Sequence, residues 1–194
     1  MAFSSSSHFV TSFLVALLIS CYIFSSTSAA RDLAQKTNNE FMKTSCSATT
    51  HSKLNSKLCL TSLLRHSSAI QTSPKLMANT ALIVTLAYAK STSTMMSKLS
   101  QSHDMKLREV GAMSDCIEEL SDLLDAIQRS IAEMGNVQAW VSAALTDETT
   151  CSDGFGGNGM NGNLKTVVRG RVVNIAQLTS NALALINRYA SVHG

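Results

Sequence analysis

The chain has 194 residues, 45% hydrophobic and 15% charged, with a formal net charge of +3, which is enough length for one domain with a real core. The charge is uneven: residues 31–108 carry 11 basic and 3 acidic groups, residues 109–153 carry 1 and 10, and residues 154–194 carry 4 basic groups and no acid. The acidic middle would attract a basic partner and repel nucleic acid, and no stretch after residue 30 is uniformly apolar for long enough to span a membrane.

The first 30 residues hold no Lys, Arg, Asp or Glu. Phe9 to Phe24 is mostly apolar, and Ser28-Ala29-Ala30 offers small residues for cleavage. Residues 1–30 therefore read as a secretory signal peptide, and the mature chain is expected to start near Arg31 in an extracellular setting. Cys21 leaves with the signal. Cys46, Cys59, Cys116 and Cys151 remain, an even number that implies two disulfides with three possible connectivities.

Residues 31–72 predict an arm of short helices, a helical hairpin. Leu33, Phe41 and Met42 are available for packing in its first half, and Leu58, Leu60, Leu63 and Leu64 in its second. Ser73-Pro74 is a helix start, with Ser at the N-cap and the chain's single proline at N1. A helix then runs to about Ser102, with Leu76, Ile83, Leu86, Ala87 and Tyr88 on its apolar side. Ser102-His103-Asp104 breaks it.

From Val110 the apolar residues Met113, Ile117, Leu120, Leu124, Ile127, Ile131 and Met134 follow at alternating steps of 3 and 4, a heptad seam for lengthwise helix packing. Gly135 stops this helix. Asn136 is expected to cap the next, which carries Val137, Trp140, Val141, Ala144 and Leu145 on one face and runs to about Asp153. Residues 154–163 are rich in Gly and Asn and read as a loop. A last helix from Leu164 to about Ala190 presents Val168, Val172, Ile175, Leu178, Ala182, Leu185, Ile186 and Tyr189 at helical spacing. No strand pattern occurs. The fold class is all-α: an up-down-up-down four-helix bundle over residues 73–194 with an N-terminal hairpin arm over 31–72.

Helix geometry selects one disulfide. Cys116 lies ~27 Å of helix before Met134, and Cys151 lies ~22 Å of helix after Asn136. An antiparallel hairpin brings the two to within about one turn of each other, near the ~4.4–6.8 Å Cα separation that a disulfide needs. Cys116–Cys151 leaves Cys46–Cys59.

Catalytic constellations are absent. Gly154-Phe-Gly-Gly-Asn-Gly159 matches a dinucleotide fingerprint in letters, but helices flank it where a βαβ unit is required. Ser102-His103-Asp104 cannot form a relay from adjacent positions. His51, His66, His103 and His193 form no metal-ligand pair, so neither a metal nor a cofactor is expected. Asp115, Glu118, Asp122 and Asp125 step by 3, 4 and 3 down one helix face. Most such charge runs are solvated faces; the functional reading of this one is a protein-binding face. Trp140, the one tryptophan, reads as core.

Several segments together resemble the plant invertase and pectin methylesterase inhibitor family. They are Phe41-Met-Lys-Thr-Ser-Cys46, Leu58-Cys59, Asp115-Cys116, Val137-Gln-Ala-Trp-Val-Ser-Ala-Ala-Leu-Thr-Asp147, Thr150-Cys-Ser-Asp-Gly-Phe155 and Ser180-Asn-Ala-Leu-Ala-Leu-Ile186. The resemblance covers the whole mature chain. It implies a disulfide-linked helical bundle without catalysis that binds either pectin methylesterase or acid β-fructofuranosidase (invertase) in the cell wall or vacuole, as a 1:1 complex. Invertase-type members carry Pro-Lys-Phe after the second bundle helix. Here Pro74-Lys75-Leu76 stands elsewhere with a different third residue, which favours the methylesterase branch. The resemblance carries partner contacts to Asp122, Asp125, Thr150 and Asp153. The competing expectations are an invertase inhibitor and, from another class, a secreted helical structural or carrier protein.

Overall fold

A computed structural model describes residues 30–49, 53–102, 105–132, 136–156 and 162–193. Residues 1–29 of the expected signal peptide, the expected break at His103-Asp104, Met134 with the glycine stop at Gly135, and residues 157–161 of the expected loop lie outside them. Helix α1 spans residues 30–49, followed by α2 (Lys53–Leu63), a 3-10 turn (Leu64–His66), the single turn α3 (Ser67–Ile70), α4 (Pro74–Ser100), α5 (Leu107–Ala132), α6 (Val137–Gly154) and α7 (Gly162–His193). There is no strand among the described residues.

Each of the four long helices packs on two neighbours. α5 lies between α4 and α6, and α7 closes the square between α6 and α4. The short connections make successive helices antiparallel. α2 packs across α4 and α7 at one end. Its link to α1 is the Cys46–Cys59 disulfide, with a Cα separation of 5.8 Å. The amide of Gln35 on α1 donates to the Ser67 hydroxyl (2.6 Å), and that of Asn181 on α7 donates to the Asn55 carbonyl on α2 (3.2 Å).

α4 starts as its sequence dictates. The Ser73 hydroxyl accepts from the Leu76 N–H at 3.3 Å, and Pro74 occupies the first turn, where no N–H is needed. Its buried face, however, is not the bulky one. Met77, Ala78, Ala81, Leu82, Thr85, Ala89, Thr92 and Met96 are buried, whereas Leu76 and Ile83 stay 43% and 47% exposed. Small residues let neighbouring helices approach closely, so alanine and threonine form the contact. The two buried hydroxyls return their hydrogen bonds to their own helix, Thr85 to the Ala81 carbonyl (2.8 Å) and Thr92 to the Tyr88 carbonyl (3.0 Å).

α5 is rolled by one residue from the expected seam. Met113, Leu120 and Ile127 are buried, but the residues between them are Glu109, Cys116, Leu123 and Ser130 rather than Val110, Ile117, Leu124 and Ile131. Both stripes keep heptad spacing. Cys116 decides between them, because its sulfur has to face α6. The roll leaves Val110 46% exposed and buries Glu109, whose carboxylate accepts the Lys106 N–H at 2.9 Å and so caps the start of α5. On α6 the buried residues are Val137, Val141, Ala144, Glu148 and Cys151. The Asn136 side chain makes no capping bond. Phe155, expected in a loop, is the C-cap residue and is wholly buried. α7 buries Val168, Val172, Ile175, Leu178, Ala182, Leu185 and Ile186 as its periodicity requires, while Tyr189, the last of the expected stripe, is only half-buried.

The turn into α4 contains a strained residue. Gln71 has φ 53° and ψ −125°, and the Ser73 N–H closes the turn on the Ile70 carbonyl at 3.1 Å. That is the first central position of a type II′ turn, which glycine fits and a residue with a Cβ does not. Gln71→Gly is expected to stabilise the protein by about 1 kcal/mol. Thermal melting reads this directly, and an unchanged or lower midpoint would refute it.

Candidate protein-docking edge

The Cys116–Cys151 disulfide joins α5 to α6 at a Cα separation of 4.4 Å and sets the register of the hairpin. Counting away from it, Glu119 stands level with Glu148, and Asp147 is the next residue on α6. The electrostatics agree with this register. The Glu119 carboxyl is held above its ordinary value, first by burial and then by Asp147, Asp122, Glu118 and Asp115. The Asp147 carboxyl is likewise raised by burial and then by Asp122. Like charges from two helices therefore crowd a single edge.

Asp122, Asp125, Thr150 and Asp153 are all exposed. Asp122 lies within the crowded group. Thr150 and Asp153 sit on α6 at and beyond the level of the disulfide, while Asp125 lies farther along α5. From the level of Asp153 to Asp125 is ~16 Å of helix, so the four residues are spread along the hairpin rather than gathered at one spot. Glu119 and Asp147 belong to that edge although they were not among the expected contacts. The signal that finds them is the disulfide register, not the charge pattern of either helix alone.

Two of the acids contribute nothing to that surface. Glu109 and Glu148 are 2% and 1% exposed. Burial pushes the Glu148 carboxyl up to about 8, and Asp147 adds to this, against the opposing effect of the Thr179 hydroxyl that donates to Oε1 at 2.6 Å. Its Oε2 is buried without a hydrogen-bond partner among the described residues. A neutral carboxylic acid therefore sits in the bundle core next to the charged edge.

At the other end of the hairpin the Arg129 guanidinium lies 5.0 Å from the Trp140 ring centroid. Trp140 is thus only half-buried, a clasp between α5 and α6 rather than the core residue expected. A pocket of about 330 Å3 opens where the α4–α5 connection meets the start of α7, lined by Leu99, Met105, Glu109, Leu164 and Val167 among others. It lies at the end of the bundle, not between the helix layers where a carried ligand would sit. Among the described residues no group of His, Cys, Asp and Glu could hold a metal ion, and no helix is long and apolar enough to cross a membrane.

A family model described as plant invertase/pectin methylesterase inhibitor matches residues 40–185. The chain is 44% identical over 170 residues to a 21 kDa protein of Daucus carota, covering 80% of this chain and 86% of that one. It is 40% identical over 198 residues to pectinesterase inhibitor 11 of Arabidopsis thaliana, covering 94% and 96%. A crystal structure of a mutant form of a pectin methylesterase inhibitor from Arabidopsis superposes with a TM-score of 0.57 over 69% of this chain and 89% of that one. At 24% identity that likeness speaks to the fold.

Proposed function

Because this chain belongs to the plant invertase/pectin methylesterase inhibitor family, we propose that it is a secreted inhibitor of pectin methylesterase. The relatives named pectinesterase inhibitor, similar over nearly the full length, support this reading over an invertase inhibitor or a helical carrier. In this reading residues 1–30 direct secretion to the cell wall. Residues 31–72 form the arm and 73–194 the bundle that binds one enzyme molecule. The protein does no chemistry; it occupies the approach to the enzyme's cleft and keeps pectin out.

The observation that carries the docking proposal is the crowded acidic edge of the α5–α6 hairpin. Glu119 and Asp147 are held against burial and mutual repulsion, with Asp122 beside them. No cation of the described residues pairs with them: the one ion pair among those residues is Lys43–Glu40, on α1. Such repulsion works against folding. It is relieved when a basic surface covers the edge, and the same charge speeds encounter. Thr150 and Asp153 extend the contact toward the end of α6.

The test titrates purified, oxidised protein against pectin methylesterase and, in parallel, against invertase. Asp122→Asn with Asp125→Asn is expected to weaken methylesterase inhibition about tenfold, or ~1.4 kcal/mol, and to flatten its salt dependence. Unchanged inhibition by the double variant excludes this edge. Inhibition of invertase alone overturns the assignment of the target.

A further inference from the structure

The bundle has a second charged side. α2, α4 and α7 pack on one another and contain no Asp or Glu at all. Their cations include Lys57 on α2, Lys90 and Lys98 on α4, and Arg169, Arg171 and Arg188 on α7. Acidic edge and basic side belong to different helix pairs, so the molecule is polarised across its square section.

The centre of the basic side is a preorganised cluster. The Arg171 guanidinium lies 5.6 Å from the Tyr88 ring centroid, and the Asn174 amide donates to the Tyr88 hydroxyl at 3.1 Å. Stacking holds the guanidinium plane and leaves its N–H fork available for a planar carboxylate, which no residue of α2, α4 or α7 supplies. The Tyr88–Asn174 contact sets the α4–α7 register and places Arg171 level with residue 91, ~10 Å along the axis from Lys98. On the other side of Arg171, α2 lies across the pair at the Asn181–Asn55 bond and carries the exposed Lys57, and Arg188 stands exposed nearer the C-terminal end of α7. These cations are spread over several turns of the acid-free helices rather than gathered in a pocket. Such a spread suits a linear polymer with a carboxylate on each unit.

We infer that the α2–α4–α7 side binds a linear polyuronate, the de-esterified pectin that a methylesterase produces. This rests on the proposed function for the choice of polymer, and on the charge map and the Arg171–Tyr88–Asn174 cluster for the binding. Ester groups carry no charge, so methylated pectin lacks the groups the fork and the lysines would engage. Binding to product would hold the inhibitor where the enzyme has already acted and raise its local concentration there, while the acidic edge stays free for the enzyme.

The test uses the oxidised mature protein without enzyme. Binding to polygalacturonate and to fully methyl-esterified pectin is measured by calorimetry at low and moderate salt. The expected result is at least tenfold preference for the de-esterified polymer, weakening as salt rises. Arg171→Glu with Lys98→Glu should lose at least tenfold in that binding, while its direct binding to pectin methylesterase on a sensor surface is unchanged. Lys98→Glu alone, at an exposed position, should give a smaller loss and guards against misfolding of the double variant. Equal binding to both polymers, or none, overturns the inference. So does self-association that the same charge reversals abolish, since the basic side would then dock the acidic edge of a second copy. The polymer assay contains no enzyme, so its failure leaves the inhibitor reading standing, and failure to inhibit leaves the polymer result standing.

Discussion

Glu148→Gln is expected to make the protein more stable at neutral pH and to remove most of its pH dependence. An unfolded glutamate ionises near 4.3, whereas buried Glu148 keeps its proton up to about 8. Between those values folding takes up a proton, so stability is greatest below the unfolded value and is lost as the pH rises through the folded one. At ~1.4 kcal/mol per unit, the loss over that window is on the order of 5 kcal/mol, of which about 3–4 kcal/mol is reached by pH 7. Glutamine is neutral throughout and keeps an acceptor for the Thr179 hydroxyl. Its new N–H bonds sit where Oε2 already lacks a partner among the described residues, which offsets part of the gain. A net gain of about 2 kcal/mol at pH 7 corresponds to roughly 4–8 °C in melting midpoint. At pH 4, where both side chains are neutral, the variant should melt slightly below the wild type, because only the unpaired amide N–H groups then separate the two. A wild-type midpoint that stays flat from pH 5 to 8, or a variant with the same slope, would mean that Glu148 is not the group in question.

The second large effect lies at the disulfide of the hairpin. Replacing Cys116 and Cys151 together with alanine removes a closure over a separation of 35 residues. In a chain-entropy description that costs about 4 kcal/mol, against about 3 kcal/mol for Cys46 and Cys59, whose separation is 13. The functional consequences should differ more than the stabilities. Cys116–Cys151 fixes which residues of α5 stand beside which residues of α6, and thus assembles Glu119, Asp122 and Asp147. Its loss should cut methylesterase inhibition well beyond the drop caused by the Cys46/Cys59 pair, measured well below both midpoints. Equal inhibition by the two variants would detach the docking edge from the clasp.

The separation between legible and illegible features follows the range of the interactions. Ser73-Pro74 marks the start of α4 because a cap and a fixed φ act within one turn, and the 3.6-residue period of α7 names its buried residues because a single face is apolar. α4 misleads for the opposite reason. Its bulkiest residues, Leu76 and Ile83, suggest a face, but the neighbours α5 and α7 select the face of Ala78, Ala81 and Ala89, where backbones come closest. On α5 two adjacent stripes satisfy the heptad equally well. Only the partner of Cys116 chooses between them, and with that choice Glu109 enters the core and Val110 leaves it.

The acidic edge shows the same division. The count of acids in residues 109–153 announces a negative surface, because charge sums do not depend on conformation. Which acids share the edge, and which are withdrawn from it, cannot be read from the count. Glu148 and Asp147 are adjacent in sequence, yet one is a neutral core acid against Thr179 and the other a charged neighbour of Asp122. Helix identity, the Ser73 cap and cysteine parity come from contacts within a few residues or from composition, and so are written along the chain. Roll, register, burial of the two glutamates and the opposition of acidic and basic sides depend on which helices become neighbours. They exist only once the four rods have packed.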